Sequence, residues 1–238
     1  MTYAGVDGCP AGWVVATLPW DGARGEVTIC PTFAGVVRVT AEAELTLVDI
    51  PMGLDDRRYM RACCQWARDL LGPRRSSIFA VPVRAAVHAP DYAAACAVNQ
   101  AATGRKLSVQ SWNICRKIKE ADLALRAEPG LQARLRESHP ELCFTALNEW
   151  QPPVNAKKSK AGQAERLALL ARHIPEVVLP AGFPRTKAAP DDILDALVLA
   201  VSARLAAARG TPAVPFPPEA DALGLRMEMV IPYPPLGG

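Results

Sequence analysis

Tyr3-Ala-Gly-Val-Asp-Gly-Cys-Pro-Ala-Gly-Trp-Val-Val-Ala-Thr-Leu18 opens with a short apolar run (3–6) and closes with a β-branched one (13–18). Gly8-Cys-Pro-Ala-Gly12 between them carries turn chemistry, so the stretch predicts two adjacent antiparallel strands. A third alternating run, Glu-Val-Thr-Ile-Cys at 26–30, continues the pattern. Residues 33–43 suggest a short helix weakened by valine, and Leu45-Thr-Leu-Val-Asp-Ile50 is a buried strand closed by Pro51 and Gly53. Beyond this point the period changes. Residues 57–71 place Met60, Cys63, Cys64, Ala67 and Leu71 on one helical stripe that ends at Gly72-Pro73. Pro90-Asp91 opens a second helix stopped near Gly104, and Ser108 caps a third running towards Arg126.

A short strand is expected at 134–138, then a turn at His139-Pro140, a helix at 162–173 and a brief extended piece at 175–180. Pro190-Asp191-Asp192 starts the clearest helix, 193–209, ended by Gly210. A proline-rich segment (212–218) leads to a last strand-like run at 225–231. Three antiparallel strands followed by β-α-β units make an α/β sheet with helices on its faces. The expected organisation is a single domain, 1–238, with a helical insertion at 55–127.

Composition excludes several classes. The 238 residues are 50% hydrophobic and 21% charged with a net charge of +3, which is too apolar and too weakly charged for a disordered chain. The most apolar run, 196–203, stops at Arg204, far short of the roughly 20 residues a bilayer needs, so no membrane partner is expected. The seven cysteines are odd in number and form no Cys-x-x-Cys, and no basic leader precedes Asp7. Reduced, mostly buried thiols in a cytoplasmic protein are the simplest expectation.

The candidate chemistry is carboxylate chemistry. Asp7 and Asp49 stand at the carboxyl ends of the first and fourth strands, where ligands of open α/β sheets bind. If those strands are neighbours, the two acids share one edge. Taken singly, each is more simply a strand-end turn residue. Asp192 and Asp195 lie at i and i+3 of the last long helix, on one face of its first turn, where helix-dipole and capping preferences also favour acids. Asp195 precedes the wholly apolar run 196–201, however, and a carboxylate on a buried helix needs a partner, for which a metal ion is well suited. Glu137 and Glu141 bracket His139 in Glu-Ser-His-Pro-Glu. Glu137 would complete the cluster from its strand end, and His139 either shuttles a proton or is a hydrogen-bonded turn residue. Such a set of acids repels itself without a cation, and Mg²⁺ or Mn²⁺ is the natural counterion, as in two-metal phosphodiester displacement. No nucleophile elbow, P-loop or dinucleotide fingerprint offers another route.

Basic residues cluster as well. Seven arginines (57, 58, 61, 68, 74, 75, 84) face one acid, Asp69, between 57 and 84. Further groups are Arg105, Lys106, Arg116, Lys117 and Lys119, then Lys157, Lys158 and Lys160. With Trp66 and Trp112 nearby they suit a phosphate backbone, although solvated helix faces explain many of them.

Several motifs resemble the domain of unknown function 429 family, predicted nucleases of the RNase H-like superfamily. They are Gly5-Val-Asp-Gly-Cys-Pro-Ala-Gly-Trp13, Asp49-Ile-Pro-Met-Gly-Leu54, Arg74-Arg-Ser-Ser-Ile-Phe-Ala-Val-Pro-Val-Arg84 and Gly104-Arg-Lys-Leu-Ser-Val-Gln110. Glu137-Ser-His-Pro-Glu-Leu-Cys-Phe144, Lys158-Ser-Lys-Ala-Gly162, Asp191-Asp-Ile-Leu-Asp-Ala-Leu197 and Gly224-Leu-Arg-Met-Glu228 extend the similarity over nearly the whole chain. The resemblance implies an RNase H-like mixed five-stranded sheet, with Asp7 on its first strand and Asp49 on its fourth. Asp192 and Asp195 look like the Asp-x-x-Asp of Holliday-junction resolvases. The resemblance also places the remaining acids on the fifth-strand region and the last long helix, and with the residue reading the metal set is Asp7, Asp49, Glu137, Asp192 and Asp195, with His139 as the catalytic candidate beside them. Arg74, Arg75, Arg84, Lys106, Gln110, Lys117 and Lys158 are the candidates for substrate contact.

The expected function is a Mg²⁺- or Mn²⁺-dependent nuclease with a nucleic acid partner; a homodimer is compatible with it. The alternatives are a non-catalytic nucleic-acid or partner-binding module and an actin-like phosphotransferase. The latter prefers Asp-x-Gly-x-Ser/Thr, from which Asp7-Gly8-Cys9-Pro10 departs.

Overall fold

The computed structural model describes residues 1–21, 25–174 and 186–234; the extended piece expected at 175–180 lies outside them. In chain order the elements are β1 (Thr2–Cys9), β2 (Gly12–Pro19), β3 (Glu26–Cys30), α1 (Phe33–Val39), β4 (Ala43–Val48), α2 (Ala62–Leu71), α3 (Arg84–Val87), α4 (Tyr92–Thr103) and α5 (Val109–Ala127). There follow β5 (Leu135–Glu137), α6 (Pro140–Leu147), α7 (Lys160–Ala171), α8 (Pro190–Ala207), β6 (Ala213–Ala220) and β7 (Arg226–Val230). They divide into two compact units. The first comprises Met1–Asp49, Arg134–Pro212 and Val230–Gly238, and the second Ile50–Ala133 and Ala213–Met229.

The first unit is built on a five-stranded mixed sheet in the order β3-β2-β1-β4-β5. The β1–β2 and β2–β3 pairs are antiparallel, whereas β1–β4 and β4–β5 are parallel. This is an α/β architecture that fits an RNase H-like fold, with the expected helical insertion between β4 and β5. Register decides which side chains share a face. Gly5 pairs with Leu47 and Val6 with Val48, so Tyr3, Gly5 and Asp7 lie on one face of β1 while Ala4 and Val6 lie on the other.

Helix α8 covers the first of these faces, and Gly5 makes that packing close. A Cβ there would stand 2.1 Å from the Ala196 carbonyl oxygen and 2.3 Å from the Ala200 nitrogen, so helix and strand meet backbone to backbone. Residues 193–203 of the helix are all buried, as expected of a core helix. The opposite face is covered by α1, whose Phe33 ring meets Trp13 edge-on at 5.2 Å. Trp13 pairs with Gly8 and so lies on the face away from α8.

The second unit holds α2–α5 and the two-stranded β6–β7 sheet. Its helix starts follow cap chemistry. The Ala94 N–H donates to Asp91 Oδ1 at 2.8 Å, and the Ser111 N–H donates to Ser108 Oγ at 3.0 Å. Gly104 ends α4 in the left-handed region at φ 77°. No helix among the described residues is long and apolar enough to cross a membrane.

Three local expectations need correction. The helix expected from residue 57 begins at Ala62, because the Asp55 carboxylate accepts the Arg57 and Arg58 N–H groups and holds that segment in a turn. The proline-rich segment is itself strand β6, tolerable because both strands of a two-stranded ribbon are edges. The His139-Pro140 turn continues directly into α6, with proline at its first position and every residue buried.

Gly5→Ala is expected to lower unfolding free energy by about 1–3 kcal/mol in urea titration, since its methyl must displace the α8 backbone. Gly130→Ala, whose added methyl meets nothing within 4 Å, serves as the control.

Candidate active site

Three elements of the first unit bring carboxylates together. Asp7 lies near the end of β1, where its Oδ1 accepts the Gly8 N–H at 2.7 Å. Asp49 follows the last residue of β4, and its N–H donates to the Val6 carbonyl at 2.9 Å, so the parallel ladder carries it to the position beside Asp7. The docking of α8 at Gly5 then adds Asp195, which adjoins Ala196 and is 2% exposed, and Asp192 one turn earlier. Asp192 Oδ2 accepts the Ala189 N–H at 2.8 Å, fixing the first turn of the helix.

The electrostatics show that these groups share one field. Burial pushes the Asp7 carboxyl well above the ordinary carboxylate range, and the charges of Asp49, Asp195 and Asp192 push it further. Asp49 is raised by burial, with Glu141 adding to the effect and His139 and Lys157 opposing it. Burial raises Asp195 to about 7 despite Lys157, with Asp49 and Glu141 contributing. Asp192 is raised by burial while Lys157 and Lys158 oppose.

Lys157 is the cation these acids face. Its Nζ donates to Asp195 Oδ2 at 2.9 Å. Burial alone would lower its pKa, but Asp195, Asp7 and Asp49 hold it above the usual lysine value. The second Asp195 oxygen, Oδ1, is buried and has no hydrogen-bond partner. Glu141 repeats the pattern: Oε1 accepts from Arg166 Nη2 at 2.6 Å, while Oε2 is buried without a partner. Arg166 is fully buried, bonded also to the Asn155 and Gly162 carbonyls, and lies 5.2 Å from the Phe144 ring centre.

The sequence candidates therefore separate. Asp7, Asp49, Asp192 and Asp195 converge. Glu137 does not: it pairs with Val48, which places it on the sheet face opposite Asp7 and Asp49. Glu141, on the first turn of α6, takes part in the field in its stead, a residue the strand-end argument passed over. His139 caps α6, with Nδ1 accepting the Glu141 N–H at 3.2 Å, and lies near enough to Asp49 to lower its pKa. Lys158 is exposed, and its neighbour Lys157 is the one seated among the acids.

Arg74, Arg75, Arg84, Lys106, Gln110 and Lys117 belong to the second unit. Of these, Arg84 is committed structurally: it bonds Asp122 at 3.1 Å and also Asp221, while His88 reaches Asp122 at 2.8 Å.

Among the described residues, no group of three His, Cys, Asp or Glu side chains is already arranged to hold a metal ion. The donor chemistry nevertheless fits a hard divalent cation. All the candidate ligands are carboxylate oxygens, and a buried carboxylate oxygen without a partner is the kind of group an ion satisfies.

Raised carboxyl pKa values have a pH consequence. A group titrating at 3.8 unfolded and about 7 folded favours the fold fully below 3.8 and loses that contribution as pH rises to about 7. In the metal-free protein the thermal midpoint is expected to fall between pH 4 and 7. Asp7→Asn, which keeps an oxygen for the Gly8 N–H, should flatten that fall and unfold at a higher temperature than wild type at pH 7.

A model for the family described as protein of unknown function (DUF429) matches residues 5–221, nearly the whole chain. No curated protein and no solved structure matches it. With a family model spanning the sheet, the insertion and the acidic helix alike, the chain belongs to the DUF429 family.

Proposed function

We propose that the protein is a Mg²⁺- or Mn²⁺-dependent phosphodiester hydrolase acting on nucleic acid. The observation that carries this reading is the convergence of Asp7, Asp49, Asp192 and Asp195 in one buried field, with Asp195 Oδ1 lacking any partner. These four residues would hold the ions, with Glu141 beside them. Bound in such a site, hard divalent cations offset the charge that builds on a phosphodiester during in-line displacement.

The remaining roles belong to the chain. Lys157 fixes Asp195 through Oδ2 and leaves Oδ1, buried and without a partner, as the oxygen that would meet an ion. With Nδ1 of His139 accepting the Glu141 N–H, Nε2 is the ring atom left to hydrogen-bond a departing oxygen. Arg166 holds Glu141 in place from below, and Lys157 supplies a cation able to meet a phosphate oxygen.

One observation favours a second reading, a non-catalytic nucleic-acid-binding module: the Lys157 ammonium already answers Asp195 at 2.9 Å. The two readings separate in one assay series. Single- and double-stranded DNA and RNA incubated with the protein and Mn²⁺ should be cleaved, and EDTA should stop the cleavage. Asp7→Asn and Asp49→Asn should each lower the rate by more than about 100-fold, the upper end for residues that only support a ligand. Mn²⁺ should raise the thermal midpoint of wild type but not of Asp7→Asn. Binding that is steeply salt-dependent with no cleavage under any metal would establish the second reading.

A further inference from the structure

The second unit contains a cavity of about 410 Å³ built entirely from residues 59–111. Two of the motif-bearing stretches, 74–84 and 104–110, meet in its wall although the proposed hydrolysis uses neither. Its volume lies within the range of small-molecule sites, about 300–1,000 Å³. Its chemistry is one-sided. Arg68, Arg105 and Lys106 line it, no carboxylate does, and among the described residues none of the three is ion-paired.

Two of the three cations are held in place. Arg68 Nη1 donates to the carbonyls of Arg75 (3.0 Å) and Ile78 (2.7 Å), and the Arg105 guanidinium lies over the Tyr59 ring, 4.6 Å from its centre. Buried Asn99 anchors this loop by donating from Nδ2 to the Arg105 carbonyl at 2.8 Å while its Oδ1 takes the Val83 N–H at 3.0 Å. Tyr59, partly exposed, and Phe79 add aromatic surface, with Ile78, Val81 and Leu107 as an apolar wall. The amino end of α5 reaches the cavity at Ser108 and adds its positive dipole end.

Three cations without an acid partner favour an anion, and the aromatic and apolar walls favour a planar, weakly polar body attached to it. A bare phosphate leaves those walls unused; an apolar ligand leaves the cations unanswered. We propose that this cavity is a nucleotide-binding site, with phosphate held by Arg68, Arg105 and Lys106, Tyr59 fixing Arg105, and the base against Phe79 and the apolar wall. It is distinct in the chain from the carboxylate cluster, and its occupancy requires no hydrolytic activity. The nucleotide comes either free or as the end of a strand.

Calorimetry on the full chain in EDTA tests this with adenosine and uridine 5′-monophosphates, adenosine, inorganic phosphate and a short 5′-phosphorylated oligonucleotide. Saturable binding is expected for the nucleotides, with adenosine and phosphate each weaker by about tenfold or more. Arg105→Ala, Lys106→Ala and Tyr59→Ala should each cost about tenfold. Arg116→Ala, an exposed α5 residue outside the cavity, should bind as wild type does. An oligonucleotide bound more tightly than the monophosphates identifies a strand end; equal affinities identify a free nucleotide. No saturable binding of either form, or unchanged affinity in both Arg105→Ala and Lys106→Ala, would overturn the proposal, whatever the nuclease assay returns.

Discussion

The approach of α8 to β1 at Gly5 is the contact on which the rest of the first unit depends. Only a residue without a side chain lets the Ala196 carbonyl and Ala200 nitrogen come so close to a strand. Gly5 lies two residues before Asp7 on the same face, and Ala196 directly follows Asp195. One steric condition thereby brings a strand carboxylate and a helix carboxylate into a shared field. Sheet register does the same for Asp49, because Val6 pairs with Val48. The energetic consequence is unfavourable in isolation: buried like charges raise one another's pKa values, and a lysine and a buried arginine are drawn in to offset them.

Much of this was legible in the order of residues, for identifiable reasons. Strands β1, β2 and β4 announce themselves by β-branched runs, and Pro190-Asp191-Asp192 marks the start of α8 by its first-turn chemistry. Asp91 and Ser108 act as the caps their positions suggest. What stayed hidden depends on parity and tertiary placement. Choosing Glu141 over Glu137 requires knowing that Glu137 shares a face with Val48, a matter of register. Choosing Lys157 over Lys158 requires knowing which of two adjacent lysines turns inward. Strand β6 was concealed because prolines argue against strands unless the pairing partner is known.

Charge along the chain proved a poor guide to available charge. Among the arginines between 57 and 84, Arg61 is buried and donates to the Met52 and Gly53 carbonyls. Arg84 is enclosed by Asp122 and Asp221, and Arg58 pairs with Asp55 and Glu219. These side chains hold together a unit with few strands, so a sequence count of basic residues overstates what a polyanion would meet. Arg68, also used structurally, keeps an uncompensated charge because its partners are carbonyls rather than acids.

All seven cysteines are buried as thiols, three in the first unit (Cys9, Cys30, Cys143) and four in the second (Cys63, Cys64, Cys96, Cys115). Burial pushes Cys115 and Cys143 up to about 11, so little of either is the reactive thiolate at neutral pH. Alkylating reagents consequently reach these sulfurs chiefly through transient opening of the surrounding structure. The native chain thus carries its own set of internal reporters, and peptide-resolved labelling rates would rank the opening free energies of the two units without any engineered probe.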